Sequence, residues 1–181
     1  MRLIRRLIIL SFLFALTPAF ADAIGKDLLK AAIQGDLTSV KELVEGGANV
    51  NYSNEKGLTP LMLSAAMGHV EVVKYLTDKK ADINAKDAVA TTSLMAAAKT
   101  GHLLIVKQLV EKGAKIDAVS GKGFTAVALA AMDGKTDVVK FLVEKGANTD
   151  LKGSSGLSAL EAAQLGNFTE LVEFLKFKKA K

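Results

Sequence analysis

The chain has 181 residues and no cysteine, which excludes disulfides, zinc–thiolate sites and a cysteine nucleophile. Half of its residues are hydrophobic, only 6% are aromatic, and there is no Trp, so Ala, Leu and Val carry the apolar weight and suit small helices packed closely together. With 24% of the residues charged and that much apolar content, a disordered chain is excluded, and the formal net charge is +5.

The N-terminus obeys different rules from the rest. Met1-Arg2-Leu3-Ile4-Arg5-Arg6 is basic, Leu7 to Leu16 is almost purely apolar, and Thr17-Pro18-Ala19-Phe20-Ala21 offers an Ala-x-Ala cleavage site. These are the three parts of a secretory signal peptide, predicted over residues 1–21 with cleavage after Ala21. The alternative is an uncleaved anchor, but the apolar run is roughly 10–14 residues where a spanning helix needs about 20. Cleavage removes three arginines, which lowers +5 to +2 for the mature chain. A charge that small makes nucleic acid a poor partner. Most of the remaining excess lies in Lys176, Lys178, Lys179 and Lys181, where a solvated helix end suffices.

From residue 22 onward the chain repeats every 33 residues. Gly35, Gly68, Gly101 and Gly134 are in phase, as are Ala48, Ala81, Ala114 and Ala147, and Asn51, Asn84, Asp117 and Asp150. A period of this size marks stacked supersecondary units rather than one globular core. Five units are predicted, over about 22–53, 54–86, 87–119, 120–152 and 153–181.

The second unit reads most clearly. Thr59 is the expected N-cap of a short helix with Pro60 at its first position, and Thr92, Thr125 and Ser158 recur in the same place. Leu61, Leu63 and Ala65 continue that helix, and Gly68 ends it with a left-handed turn. A second helix follows, with Val70, Val72, Val73 and Leu76 as its buried set and Lys74 outside. It ends at Lys80-Ala81, where later units have Gly113-Ala114 and Gly146-Ala147, so Lys80 stands where a glycine C-cap is expected. In the last unit Asn167 holds the glycine position, and Leu171, Val172 and Leu175 form the buried face of the closing helix. Asp22 is expected a few residues ahead of the first helix.

Gly57-Leu58-Thr59-Pro60-Leu61, then Ala65-Ala66, Gly68-His69, Val72-Val73-Lys74 and the recurring Gly-Ala-Asp/Asn loop closely resemble the ankyrin repeat. The resemblance covers essentially the whole chain from residue 22. It implies an all-α solenoid of helix–turn–helix units with hairpin loops, non-catalytic, without cofactor or metal, and acting by binding a protein partner. The family's histidine after Thr-Pro-Leu is replaced by Met62, Met95, Ala128 and Glu161, so its side-chain hydrogen bonding is expected to be lost throughout. Thr92-Ser93 and Thr125-Ala126 depart from Thr-Pro.

Few residues suggest chemistry. His69 and His102 are the only histidines and lack companion ligands, so a packing role is expected. Gly121-Lys122-Gly123 lacks the frame of a phosphate loop, and no hydrolase elbow or carboxylate pair is present, which speaks against an enzyme. Lys41/Glu45, Lys74/Asp78, Lys107/Glu111 and Lys140/Glu144 are i,i+4 pairs expected to attract weakly on a solvated convex face.

In ankyrin proteins, partners meet the hairpin tips and the exposed end of the first helix of each unit, which line a concave groove. Mapped here, this implies Glu55, Lys56, Leu58 and Met67 in the second unit, Val89, Thr91, Lys99 and Thr100 in the third, and Lys122, Phe124, Met132 and Asp133 in the fourth. Met67 and Met132 are expected to be exposed, while Leu58 divides between a binding and a packing role. The leader and the repeats together predict a monomeric, periplasmic bacterial protein. The alternatives are an exported effector that binds a host protein, or a structural envelope protein held by an uncleaved anchor.

Overall fold

A computed structural model describes residues 18–154 and 156–179, and all regular secondary structure among them is helical. The helices come in pairs: α1 (Pro18–Gln34) with α2 (Leu37–Glu45), α3 (Pro60–Met67) with α4 (Val70–Asp78), and α5 (Ser93–Thr100) with α6 (Leu103–Glu111). The series closes with α7 (Ala126–Met132) and α8 (Thr136–Glu144), then α9 (Ala159–Leu165) and α10 (Thr169–Lys179). The odd-numbered helices stack on one another as an inner layer, and the even-numbered ones form an outer layer with sparser contacts between neighbours.

Side-chain size explains that asymmetry. The inner layer is built on alanines such as Ala97, Ala98, Ala130, Ala131, Ala162 and Ala163, all fully buried. Small residues let inner helices approach closely, whereas Tyr75, Phe141 and Phe174 hold the outer helices apart. The stack therefore curves with its inner helices and hairpin tips on the concave side. Leu28, Leu61, Leu94, Leu76, Leu109, Leu142 and Leu171 fill the space between the layers.

The expected helix starts are in place. Thr59, Thr92, Thr125 and Ser158 each accept a hydrogen bond from the backbone N–H three residues on, at 3.2–3.3 Å. Inner helices then stop at left-handed residues, with φ of 84° at Gly68, 85° at Gly101, 64° at Gly134 and 58° at Asn167. Lys80 also adopts φ 68°, as its place among glycines requires.

The phased Asn and Asp residues turn out to tie one unit to the next. Asn51 Oδ1 accepts from the Asp82 N–H at 2.7 Å, Asn84 Oδ1 from Lys115 N–H at 2.8 Å, and Asp117 Oδ1 from Asn148 N–H at 2.9 Å. The hairpin tips are laced together as well, because Ala88 N–H donates to Lys56 O, Gly121 N–H to Val89 O and Gly153 N–H to Gly123 O. Both histidines act structurally across units: His69 Nε2 lies 2.8 Å from Ile33 O, and His102 Nε2 lies 3.2 Å from Ala66 O.

Three sequence expectations are corrected. α1 begins at Pro18, so Asp22 lies inside the first helix rather than ahead of it. There its carboxylate accepts from Tyr52 OH at 2.6 Å and pairs with Lys26 at 2.7 Å, and both contacts hold the first turns in helical form. Residues 1–17 of the expected signal peptide lie outside the described residues.

The second correction concerns position 161. Glu161 does not lose the hydrogen bonding of the residue it replaces: its carboxylate accepts from Ser158 N–H and from Lys152 Nζ, which completes a capping box.

The third concerns Lys41, Lys107 and Lys140, which reach the neighbouring unit instead of their i,i+4 partners. Lys74 attracts Asp78 as expected, although the close ion pair of Asp78 is with Lys112. Lys112 pairs with Asp78 and Lys140 with Glu170, while Lys41 lies over the Tyr75 ring and Lys107 over Phe141. Ring faces attract cations and recur along this side of the stack, so they compete with the local carboxylates.

Candidate functional site

The fold divides each unit into residues that the stack consumes and residues it leaves over. Caps, left-handed turns and buried alanines are consumed. What remains on the concave side is the tip of each hairpin and the solvent-facing end of each inner helix.

Tip geometry is set locally. Asn54 Oδ1 accepts from the N–H groups of Lys56 and Leu58, and Asp87 Oδ1 from those of Val89 and Thr91. In the fourth unit Ser120 Oγ accepts from Phe124 N–H at 3.1 Å. Each polar side chain closes its own loop and turns the residues at the crown of the tip outward.

The structure brings the candidates of the third and fourth units together. Val89, Thr91, Lys99, Lys122 and Phe124 line one recess of about 170 Å³, with Ser120 and Leu129 completing its wall. Glu55, Lys56 and Leu58 instead line a separate, wider recess of about 580 Å³ with Asp22, Lys26 and Tyr52. Exposure follows expectation for Met67, whose side chain is 53% exposed, and Thr100 and Asp133 are also exposed. Leu58 and Phe124 are half-buried.

Met132 departs from expectation. It is half-buried and packs against the hydrophobic core, because the fifth unit stacks over it.

Two residues escaped the sequence reading. Ile33 and Leu165 are 45% and 66% exposed at the ends of α1 and α9. Their signal was available, since 33, 66, 99, 132 and 165 are one position of the repeat, and Lys99 and Met132 already belonged to the candidate set. Of the six large hydrophobic residues most exposed in the described structure, Ile33, Met67, Val89 and Leu165 belong to the concave side.

Electrostatics at this face is local. The Lys152 ammonium and, after it, the backbone N–H of Ser158 bring the Glu161 carboxyl down to about 2. A hydrogen bond from Lys26 and another from Tyr52 hold Asp22 below the usual carboxylate range, and the same carboxylate pushes the Tyr52 phenol up. Among the described residues no group of three or more His, Asp or Glu could hold a metal ion.

Comparison with known proteins agrees with this geometry. The family model described as "Ankyrin repeats (3 copies)" matches residues 28–120 and again 94–181. This chain is an ankyrin-repeat protein. Ankyrin repeats are generally protein–protein interaction modules and typically non-catalytic. No curated protein matches the chain as a relative. Among the described residues of this ankyrin array, no helix is long and apolar enough to cross a membrane.

Proposed function

We propose that this ankyrin array is a non-catalytic binding module of the bacterial envelope, exported to the periplasm, that grips one protein partner along its concave face. One observation carries the reading: four of the six large apolar side chains most exposed among the described residues, Ile33, Met67, Val89 and Leu165, lie on the inner-helix ends and tips, while Leu104 and Phe177 lie on outer helices. Burial of apolar and aromatic anchors is what dominates binding energy at protein interfaces. Ile33, Met67, Val89 and Leu165 make no contribution to the hydrophobic core, so their exposure has no structural return.

The test separates binding from folding. Phe124 and Met132 are half-buried, so truncating them would perturb both. Met67→Asp combined with Val89→Asp changes only exposed side chains. It should abolish recovery of the partner complex from an envelope fraction while leaving the thermal melt unchanged. An undiminished complex would refute the assigned face.

One observation favours a second reading, in which the leader is retained as an anchor. α1 runs unbroken from Pro18 past Asp22, and cleavage is favoured in exposed loops rather than in formed helices. N-terminal sequencing decides between the two: a first residue of Asp22 supports periplasmic release, and an intact Met1 supports the anchor. Fractionation of the culture separates periplasmic residence from export beyond the cell.

A further inference from the structure

We propose that the recess between the third and fourth hairpin tips receives one large apolar side chain presented by a carboxylate-rich segment of the partner. The proposal rests on the reading that the concave face binds protein, and it specifies the chemistry of what is bound there.

Size comes first. The recess measures about 170 Å³, and Val89, Phe124 and Leu129 supply its apolar wall. A cavity of about 150 Å³ lined by apolar side chains is enough to take up benzene. The space therefore matches a single ring or branched aliphatic side chain.

Charge comes second. Lys99 and Lys122 line the recess, and no carboxylate does. Among the described residues Lys99 forms none of the ion pairs found in the fold, and its side chain is exposed. The two acidic candidates, Glu55 and Asp133, lie outside this lining. Cations at a recess with apolar walls concentrate the field there and draw in anions. An aliphatic or aromatic group flanked by carboxylates satisfies both features at once, whereas a basic segment is repelled.

Shape favours a polypeptide over an anionic lipid surface. The recess sits between adjacent hairpin tips on the inner-helix side of the stack. The exposed apolar residues of this side also come singly, one each in the first, second, third and fifth units and none in the fourth, with Thr91 and Thr100 among them, instead of forming one continuous greasy face. A chain segment laid along the groove meets them in turn.

The test is a titration followed by NMR on 15N-labelled protein purified from cells expressing the full chain. The probes are three short peptides: phenylalanine flanked by glutamates, phenylalanine flanked by lysines, and alanine flanked by glutamates. The first should shift the amides of Val89, Lys99 and Phe124 saturably, and the other two should bind at least roughly tenfold more weakly. Lys99→Glu, at an exposed position that leaves the fold intact, should weaken the first peptide by a similar factor. Shifts elsewhere, no shifts at millimolar peptide, equal binding of the three peptides, or an unchanged Lys99→Glu affinity would each overturn the proposal. A parallel titration uses vesicles of phosphatidylcholine with phosphatidylserine; binding that Lys99→Glu abolishes would assign the surface to lipid and overturn it too. If the peptide test fails while Met67→Asp/Val89→Asp still removes the partner complex, the acidic-apolar chemistry falls and the binding face stands.

Discussion

Lys80 offers a clean measurement of backbone strain in this fold. Four units place a residue just beyond the outer helix in left-handed conformation, with φ of 98° at Gly47, 68° at Lys80, 93° at Gly113 and 87° at Gly146. A Cβ added to any of the three glycines meets nothing within 4 Å, so the slot has room and the effect of a side chain there is conformational alone. An L-residue in that conformation costs about 1–2 kcal/mol. Replacing it by glycine also frees the unfolded chain, which offsets about 0.4–1 kcal/mol. Lys80→Gly should therefore stabilise the protein by about 0.5–1 kcal/mol, and Gly113→Lys should destabilise it by a similar amount. For a chain of this size that is a shift of roughly 1–4 °C in the melting midpoint. Thermal and urea unfolding followed by circular dichroism reads both variants and their double mutant. A destabilised Lys80→Gly, or two substitutions that move the midpoint in the same direction, would refute the reasoning.

Other positions give further tests. A methyl group on Gly68, already at φ 84°, would lie 2.6 Å from the His102 ring. Gly68→Ala should thus add displacement of the ring and its bond to Ala66 O to the backbone strain, costing about 2–3 kcal/mol in urea unfolding. Thr92→Ala removes a cap and should cost about 1 kcal/mol. The adjacent Ser93→Ala should instead gain about 1 kcal/mol, because Ser93 Oγ is buried without a partner. Glu161 has a folded pKa of about 2 against an ordinary value near 4.5, so its contribution is fully present above pH 4.5 and is lost as pH falls toward 2. The stability gap between the wild type and Glu161→Gln should accordingly close over that window in acid titrations of the melting midpoint.

Much of the fold was legible because repetition exposes function by position. A hydroxyl residue at 59, 92, 125 and 158 identifies itself as a cap, and a lysine at 80 among glycines at 113 and 146 announces a left-handed turn. Depth of burial was less legible. Met132 and Lys99 share a repeat position, yet one packs and the other faces solvent, since burial depends on side chains contributed by units about 33 residues away. The same reason hid the convex contacts: Lys41 and Lys107 looked paired along their own helices, while the rings they cover belong to the next unit. Asn51, Asn84 and Asp117 were visible as a period, but their hydrogen bonds to the following loop could be seen only once the units were stacked. The candidate tip residues of the third and fourth units were placed by phase alone, and phase sufficed because adjacent tips are bonded to each other.

The most direct test of the binding face is a crosslinking map made in living cells. A photoreactive amino acid placed singly at Ile33, Met67, Val89 and Leu165 samples the concave side, and the same residue at Leu104, Lys74 and Glu111 samples the outer helices, all of these sites being exposed. The account predicts one partner band shared by the four concave positions and missing from the outer ones. The same band from the outer helices, with none from the concave set, would contradict it.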